Sequence, residues 1–390
     1  MAEARALAFE AEALEAEAGR RSGLGDFGDP AFEEPLRRLL HALEGEAELN
    51  QAGRLAQLER VVGLLVNRLR LEEAVRRSPE ILEERIEAPL VIVGLPRTGT
   101  TMLHRMLASD PRLHALLWYE SRQPAPVPGS DPALPDPRIA EAEREVETML
   151  GASPELIAAH PMDAHAPDEE IMLLEHSFLS TNPEAFCRVP SFAAWREAQD
   201  LTPGYALLDR LLRFLQWQKR RRGSRARRWI LKTPFHLGYL DVLFATWPDA
   251  RIVWPHREPE ECIPSLASLI HSLRVLGSDR VDPAELGREW SGKFQRAIGR
   301  ALDARERHPG RFLDLRYPAL VEDPLAQAER IYAFAGLALP PEVAQGMRRF
   351  SVENARDKRP VHRYTLERFG LDEAALRRDF ARYRERWLAG

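Results

Sequence analysis

The sequence predicts an α/β fold: a parallel sheet flanked by helices, preceded by an all-helical extension over residues 1–86. Three observations carry this. Residues 88–107, APLVIVGLPRTGTTMLHRML, read as a buried strand, a tight loop and an amphipathic helix. Between residues 228 and 334 the same strand–loop–helix pattern recurs. Before residue 86 the chain reads as helical throughout, with apolar positions recurring at helical spacing.

In the extension, Leu39, Leu40 and Leu43 share one face, and Leu55, Leu58, Val61, Val62, Leu65 and Leu69 another. This region carries no obvious chemistry and is expected to pack on the main domain or on a partner subunit. The main domain spans 87–390, entered between Pro79 and Pro89. Leu90 to Val93 form its first strand. Residues 121–137, SRQPAPVPGSDPALPDP, are dense in proline and form a long loop or lid. Helical patterns follow at about 138–150, 168–177 and 204–222, the last ending in KRRRGSRARR (219–228). That cluster lacks interleaved aromatics, and the helix dipole favours cations there, so it reads as a solvated helix end rather than a nucleic-acid patch.

Arg228 to Leu231 form the next strand, leading into Lys232-Thr-Pro-Phe-His and a helix to about Thr246. Arg251 to Trp254 form another, leading into Pro255-His-Arg257 and a further helix. Arg311 to Leu315 make a short strand before a helix through Ile331 and Phe334, and residues 372–388 form an amphipathic C-terminal helix. In parallel sheets ligands bind at the carboxyl ends of the strands. Arg97, Lys232 and Arg257 each lie just past such an end, so they are expected to converge.

Composition narrows the function. The chain has 390 residues, 44% hydrophobic and 29% charged, with a formal net charge of −5, which disfavours a general polyanion binder such as a nucleic-acid protein. The two cysteines, Cys187 and Cys262, support neither a disulfide framework nor a cysteine zinc site and fit a reducing compartment. The acidic, helical N-terminus lacks a signal-peptide pattern, and no apolar run approaches ~18 residues, so a cytoplasmic protein without a membrane span is expected. Only four basic residues are lysines: Lys219, Lys232, Lys293 and Lys358.

The loop Gly94-Leu-Pro-Arg-Thr-Gly99 is P-loop-like, exposing N–H groups at a helix N-terminus as an anion cradle. The ATP and GTP pattern is G-x-x-x-x-G-K-[ST], whose Lys reaches the β- and γ-phosphates and whose hydroxyl holds magnesium. Here the glycines keep that spacing but Thr100 stands at the Lys position, and the positive charge sits inside the loop at Arg97. The loop suits an anionic nucleotide without a metal-bound γ-phosphate.

These segments resemble the sulfotransferases that use 3′-phosphoadenosine-5′-phosphosulfate (PAPS), especially the bacterial branch related to tyrosylprotein sulfotransferases. GLPRTGTT (94–101) is similar to the family's 5′-phosphosulfate loop. Arg257 and Ser265, in REPEECIPS, are similar to its 3′-phosphate motif. LKTPFHLGYL (231–240) resembles the Lys-bearing strand end, LRYPALVEDP (315–324) the late strand near the adenine, and HRYTLERFGLD (362–372) a C-terminal loop. The resemblance runs in order over roughly residues 88–385. It implies PAPS as co-substrate and no metal. Arg97, Thr98, Gly99, Thr100, Thr101, Arg257, Ser265, Tyr317, His362 and Arg363 would bind the donor. Arg97 and Lys232 would neutralise the leaving phosphate. Two departures stand out. Arg97 replaces the Lys of cytosolic members, and Pro264 should kink or delay the helix that carries Ser265.

The resemblance points to Glu120, in LLWYES, as general base, with His176 as runner-up. The cluster His160, Asp163, His165, Asp168, Glu169 and Glu170 holds metal-ligand residue types, but its spacing reads better as a turn and an acidic helix start. The aromatics Phe178, Phe186, Phe192 and Trp195 serve either an acceptor pocket or the core. The acceptor itself stays open among small molecules, glycans, lipids and peptides, as does homo-oligomer formation. Two rivals compete with the sulfotransferase reading: a P-loop kinase or NTPase, and a non-catalytic nucleotide-binding module.

Overall fold

The computed structural model describes residues 8–130, 134–152, 162–354 and 364–388. Five strands form one sheet: β1 (Leu90–Ile92), β2 (Leu113–His114), β3 (Arg228–Lys232), β4 (Arg251–His256) and β5 (Phe312–Arg316). Their order is β2-β3-β1-β4-β5, and every pairing is parallel. Central β1 sets Ile92 beside Lys232 of β3 and Val253 of β4. All carboxyl ends therefore lie along one edge, from which the Gly94 loop, Lys232, Arg257 and Tyr317 depart.

Alternation along the strands explains the two covering layers. Val91, Leu231, Ile252 and Trp254 point to one face, packed by the helices Thr202–Arg221, Pro259–Arg274 and Pro283–Arg307. Leu90, Ile92, Ile230 and Val253 point to the other, under Leu103, Met106 and Leu107 of helix α4 (Thr100–Leu107). Burial on both faces is why these strands read as continuous apolar runs.

The sequence ends β4 at Trp254, but the strand continues through Pro255 to His256. Hydrogen bonding explains how. Val93 N–H donates to Val253 at 2.9 Å and Ile252 N–H to Arg311 at 2.8 Å, so odd residues of β4 face β1 and even ones face β5. Pro255 faces β1 beyond its last residue, where no ladder donor is required. The edge strand β2 is not apparent from sequence because two residues carry no pattern. The expected C-terminal helix is broken at Phe380 into Glu373–Asp379 and Ala381–Trp387.

Three helices fill the N-terminal region: α1 (Ala11–Ser22), α2 (Glu33–Gly45) and α3 (Gln51–Arg77). They pack on their own chain, burying Phe178, Cys187, Val189 and Phe192 in a shared core. In α3 every residue from Val61 to Leu69 except Gly63 is buried, so the helix is enclosed on nearly all sides. Its polar residues act as cross-links. Arg68 donates to the Phe27, Asp29 and His176 carbonyls, and Asn67 to that of Arg122. Two more helices border the site: α5 (Trp118–Arg122) and α6 (Pro137–Ala152). Among the described residues no helix is long and apolar enough to cross a membrane.

Candidate active site

The loop after β1 is shaped by left-handed backbone at Gly94 (φ 131°), Arg97 (φ 71°) and Gly99 (φ 78°). At Gly94 a Cβ would lie 2.9 Å from the Pro255 carbonyl, so only glycine lets the loop pass β4. At Gly99 a Cβ would press on the Tyr317 ring at 3.3 Å. Thr98 is fully buried and donates to the Leu95 carbonyl at 2.8 Å, pinning the turn. This curvature presents the N–H groups that open α4 as an anion nest.

Around the loop the structure brings together Arg97, Arg257, Ser265 and Tyr317. Arg97 Nε donates to Ser265 Oγ at 3.2 Å. Arg257 Nη1 donates to the Arg97 carbonyl at 2.7 Å, and its guanidinium lies 4.2 Å from the Tyr317 ring centroid. Arg257 also pairs with Glu261, whose side chain is about half exposed. Burial pulls Arg97 below its ordinary pKa; nearby Arg257 adds to that, and Tyr364 opposes it. Two partly buried guanidiniums beside a nest of N–H groups, with one carboxylate at the rim, suit a doubly anionic ligand. Pro264 lies inside the helix Pro259–Arg274, which nevertheless runs on and delivers Ser265 to Arg97. Next to the proline, the Glu261 carbonyl accepts from Tyr364 Oη at 3.2 Å. His362 and Arg363 lie outside the described residues.

Lys232, at the end of β3, is buried. Its Nζ reaches Thr101 Oγ1 of the loop at 3.4 Å and pairs with the Glu169 carboxylate. The neighbouring Glu170 accepts the Lys232 backbone N–H at 2.8 Å and contacts His236 Nε2 at 2.8 Å. His236 Nδ1 lies 2.6 Å from Tyr205 Oη. Each ring nitrogen of His236 thus has a polar partner, Nε2 at Glu170 and Nδ1 at Tyr205. Below Lys232, His104 contacts the Ile230 carbonyl at 3.2 Å. Burial, with Lys232 adding to it, holds His104 near pKa 3.

Glu169, with Pro96 and Thr233, borders a cavity of 230 Å³ whose walls include Trp118, Met172, Phe186, Ile270 and Phe294. The acidic run 168–170, weighed in the sequence as a metal cluster or helix start, leads into the short helix Ile171–Leu174, while two of its carboxylates meet Lys232 and His236. Glu170 occupies an N-cap position but caps no N–H, and its carboxylate turns to Lys232 and His236 instead. Among the described residues no group of three or more His, Cys, Asp or Glu could hold a metal ion, and His160 lies outside them. Of the four aromatics, Phe186 lines the cavity, while Phe178 and Phe192 join the N-terminal core with Trp195 packed against it.

Two sequence candidates sit elsewhere. Glu120 is buried, accepts from Lys219 Nζ at 2.6 and 2.7 Å, and takes the Leu117 N–H at 3.0 Å. It is not among the cavity-lining residues. Lys219, read as part of a solvated helix end, is the partner that holds it. His176 is also buried, between Asn67 Nδ2 at 3.1 Å and the Leu173 carbonyl at 3.0 Å, and burial pulls it down to about 4. Neither position offers a base to the cavity. Glu169 was visible in the sequence as part of DEE (168–170), but nothing local pointed to its meeting with Lys232.

The P-loop-like parallel sheet places a cationic cradle at its carboxyl edge, and residues 89–341 match the model of the Sulfotransferase family. The chain belongs to that family. Over nearly its whole length it is similar to the crystal structure of sulfotransferase STF1 from Mycobacterium tuberculosis H37Rv, with 32% identity, a TM-score of 0.83, and coverage of 95% of this chain and 98% of that one. Sulfotransferase STF9 from Mycobacterium avium is 27% identical, with a TM-score of 0.87 and 97% of each chain covered. Omega-hydroxy-beta-dihydromenaquinone-9 sulfotransferase Stf3 of Mycobacterium bovis is 26% identical over 291 residues, 72% of this chain and 71% of that protein. This assignment does not favour the kinase and binding-module alternatives.

Proposed function

We propose that this sulfotransferase takes its sulfuryl group from PAPS, the general donor of the family, and delivers it to a hydroxyl on a largely apolar acceptor. In this reading the N–H groups of Thr98 to Thr101, with Arg97, hold the 5′-phosphate end of the donor. Arg257 and Ser265 hold the 3′-phosphate, and Tyr317 supports Arg257 from beneath. The apolar cavity beside Glu169 holds the acceptor, in keeping with a relative whose name carries a hydroxylated acceptor.

The supporting observation is the position of Lys232, whose Nζ lies between Thr101 of the loop and the Glu169 carboxylate at the cavity. In the transfer, a new S–O bond forms to the acceptor oxygen as the bond from sulfur to the 5′-phosphate oxygen breaks. The electron pair leaves on that phosphate oxygen, and Lys232 and Arg97 offset the charge that grows there. For this, Lys232 turns from Glu169 towards the phosphate. Glu169, so released, accepts the proton that the acceptor hydroxyl loses. The chain thus supplies positioning and charge, and the buried Glu170–His236–Tyr205 set fixes the strand end from which Lys232 projects.

Calorimetry with adenosine 3′,5′-bisphosphate, against ATP with magnesium, tests the donor assignment. Binding of the bisphosphate alone is expected, and preference for ATP would overturn it. Glu169→Gln tests the base. Turnover should fall about 10²-fold or more while bisphosphate affinity holds, and undiminished turnover removes Glu169 from the role.

A further inference from the structure

A second cavity adjoins the acceptor cavity. Of 580 Å³, it runs from α5 and α6 to α3, where Ala56 and Gly63 line it. Arg122, Met149, Met172, Phe186 and Leu273 border both spaces, so the two are separated by one layer of side chains. Two of those five are methionines, unbranched and able to repack around a chain that passes them.

The two spaces differ in chemistry. The first is walled chiefly by apolar side chains. The second is lined by four arginines and four glutamates among its polar residues. Three ion pairs join members of these sets: Arg21 with Glu59 at 2.6 Å, Arg60 with Glu175 at 2.7 Å, and Arg122 with Glu145 at 2.6 Å. A lining so balanced attracts neither sign of charge, but offers many hydrogen-bonding groups.

We propose that the two cavities form one acceptor channel and that the acceptor is an elongated amphiphilic alcohol. Its hydroxyl end meets Glu169, its apolar segment fills the first cavity, and an uncharged hydrogen-bonding group at its far end lies in the cleft against α3. This rests on the assignment of Glu169 and Lys232 given above. It gives the N-terminal helices a task, since α3 supplies one wall of the channel. Ala56 and Gly63 are seven residues apart, on one face of that helix. No atom lies within 4 Å of a Cβ built at Gly63, so a larger side chain there enters the cleft without displacing the core.

Calorimetry on the full chain with saturating adenosine 3′,5′-bisphosphate tests this, using decanol, dodecanol, and the ω-hydroxy amide and ω-hydroxy acid of the dodecyl chain. The hydroxy amide is expected to bind about tenfold more tightly than either dodecanol or the hydroxy acid. Gly63→Trp and Ala56→Trp should each erase that advantage while leaving decanol and the bisphosphate unaffected. Equal binding of the three dodecyl compounds, no alcohol binding at all, or an advantage that survives both tryptophans overturns the channel. Loss of bisphosphate binding in the unmodified chain would instead defeat the donor assignment, so the two failures are distinct.

Discussion

The Arg257 guanidinium donates to the backbone carbonyl of Arg97 at 2.7 Å, across 160 residues of sequence. One arginine from the end of β4 thus fixes the turn that aims another from the end of β1. With the proposed 3′-phosphate contact, Arg257 acts on both ends of the donor. Arg257→Ala should weaken adenosine 3′,5′-bisphosphate binding by about 10- to 100-fold, the worth of a charged hydrogen bond at ~1.5–3 kcal/mol. Arg257→Lys should recover little, because an ammonium cannot bond the carbonyl and a phosphate as a fork does. Calorimetric affinities of the three proteins check this.

The role proposed for Lys232 lies in the chemistry rather than in donor binding. Its Nζ lies between the loop and Glu169 rather than among the groups around Arg257. Lys232→Ala is expected to lower kcat by about 10²-fold or more, as when a preorganised donor is removed from a leaving oxygen. Bisphosphate affinity should change by less than about fivefold, since the loop N–H groups and both arginines remain. Steady-state kinetics alongside calorimetry would show the split. A parallel loss in both would make Lys232 a binding residue only.

The convergence of Arg97, Lys232, Arg257 and Tyr317 was legible in sequence because parallel strands put local motifs side by side. Arg97, Lys232, Arg257 and Tyr317 each sit within a few residues of a strand end, and the sheet order brings those ends side by side. The ion pairs around this site were not legible. Glu169 meets Lys232 across 63 residues, and Glu120 meets Lys219 across 99, contacts set by helix packing that leave no local pattern. A carboxylate after the first helix and one in an acidic run look alike until the chain folds. One then faces a cavity, and the other is buried in an ion pair.

The Glu120–Lys219 pair predicts a structural phenotype. Glu120 is 4% exposed at its side chain and Lys219 17%, so Glu120→Gln leaves an ammonium only partly able to reach water. Breaking such a pair from one side costs about 3 kcal/mol. Thermal denaturation should show a midpoint several degrees lower, with kcat within a few-fold of the parent. Adding Lys219→Met to Glu120→Gln should cost less than the two single changes together, since no lone charge is left behind.

Three buried histidines give the fold an acid limit. His104 is pulled down to about 3, and His114 and His176 to about 4, in each case first by burial. Lys232 adds to the effect at His104 and Lys219 at His114, while Glu175 opposes it at His176. Each folded-state value lies below the ordinary 6.5. The unfolded chain therefore takes up protons that the folded chain refuses, and stability present above pH ~6.5 is lost as the pH falls towards 4. Each histidine contributes up to about 1.4 kcal/mol per pH unit in that window. Denaturant unfolding at a series of pH values should show this fall. His176→Gln, which keeps a polar group for Asn67 but cannot titrate, should flatten the slope by about one proton. It should also leave the pH profile of turnover unmoved, because His176 is buried against Asn67 and the Leu173 carbonyl, away from the cavity proposed for the acceptor. A shifted profile would return His176 to the list of candidate bases.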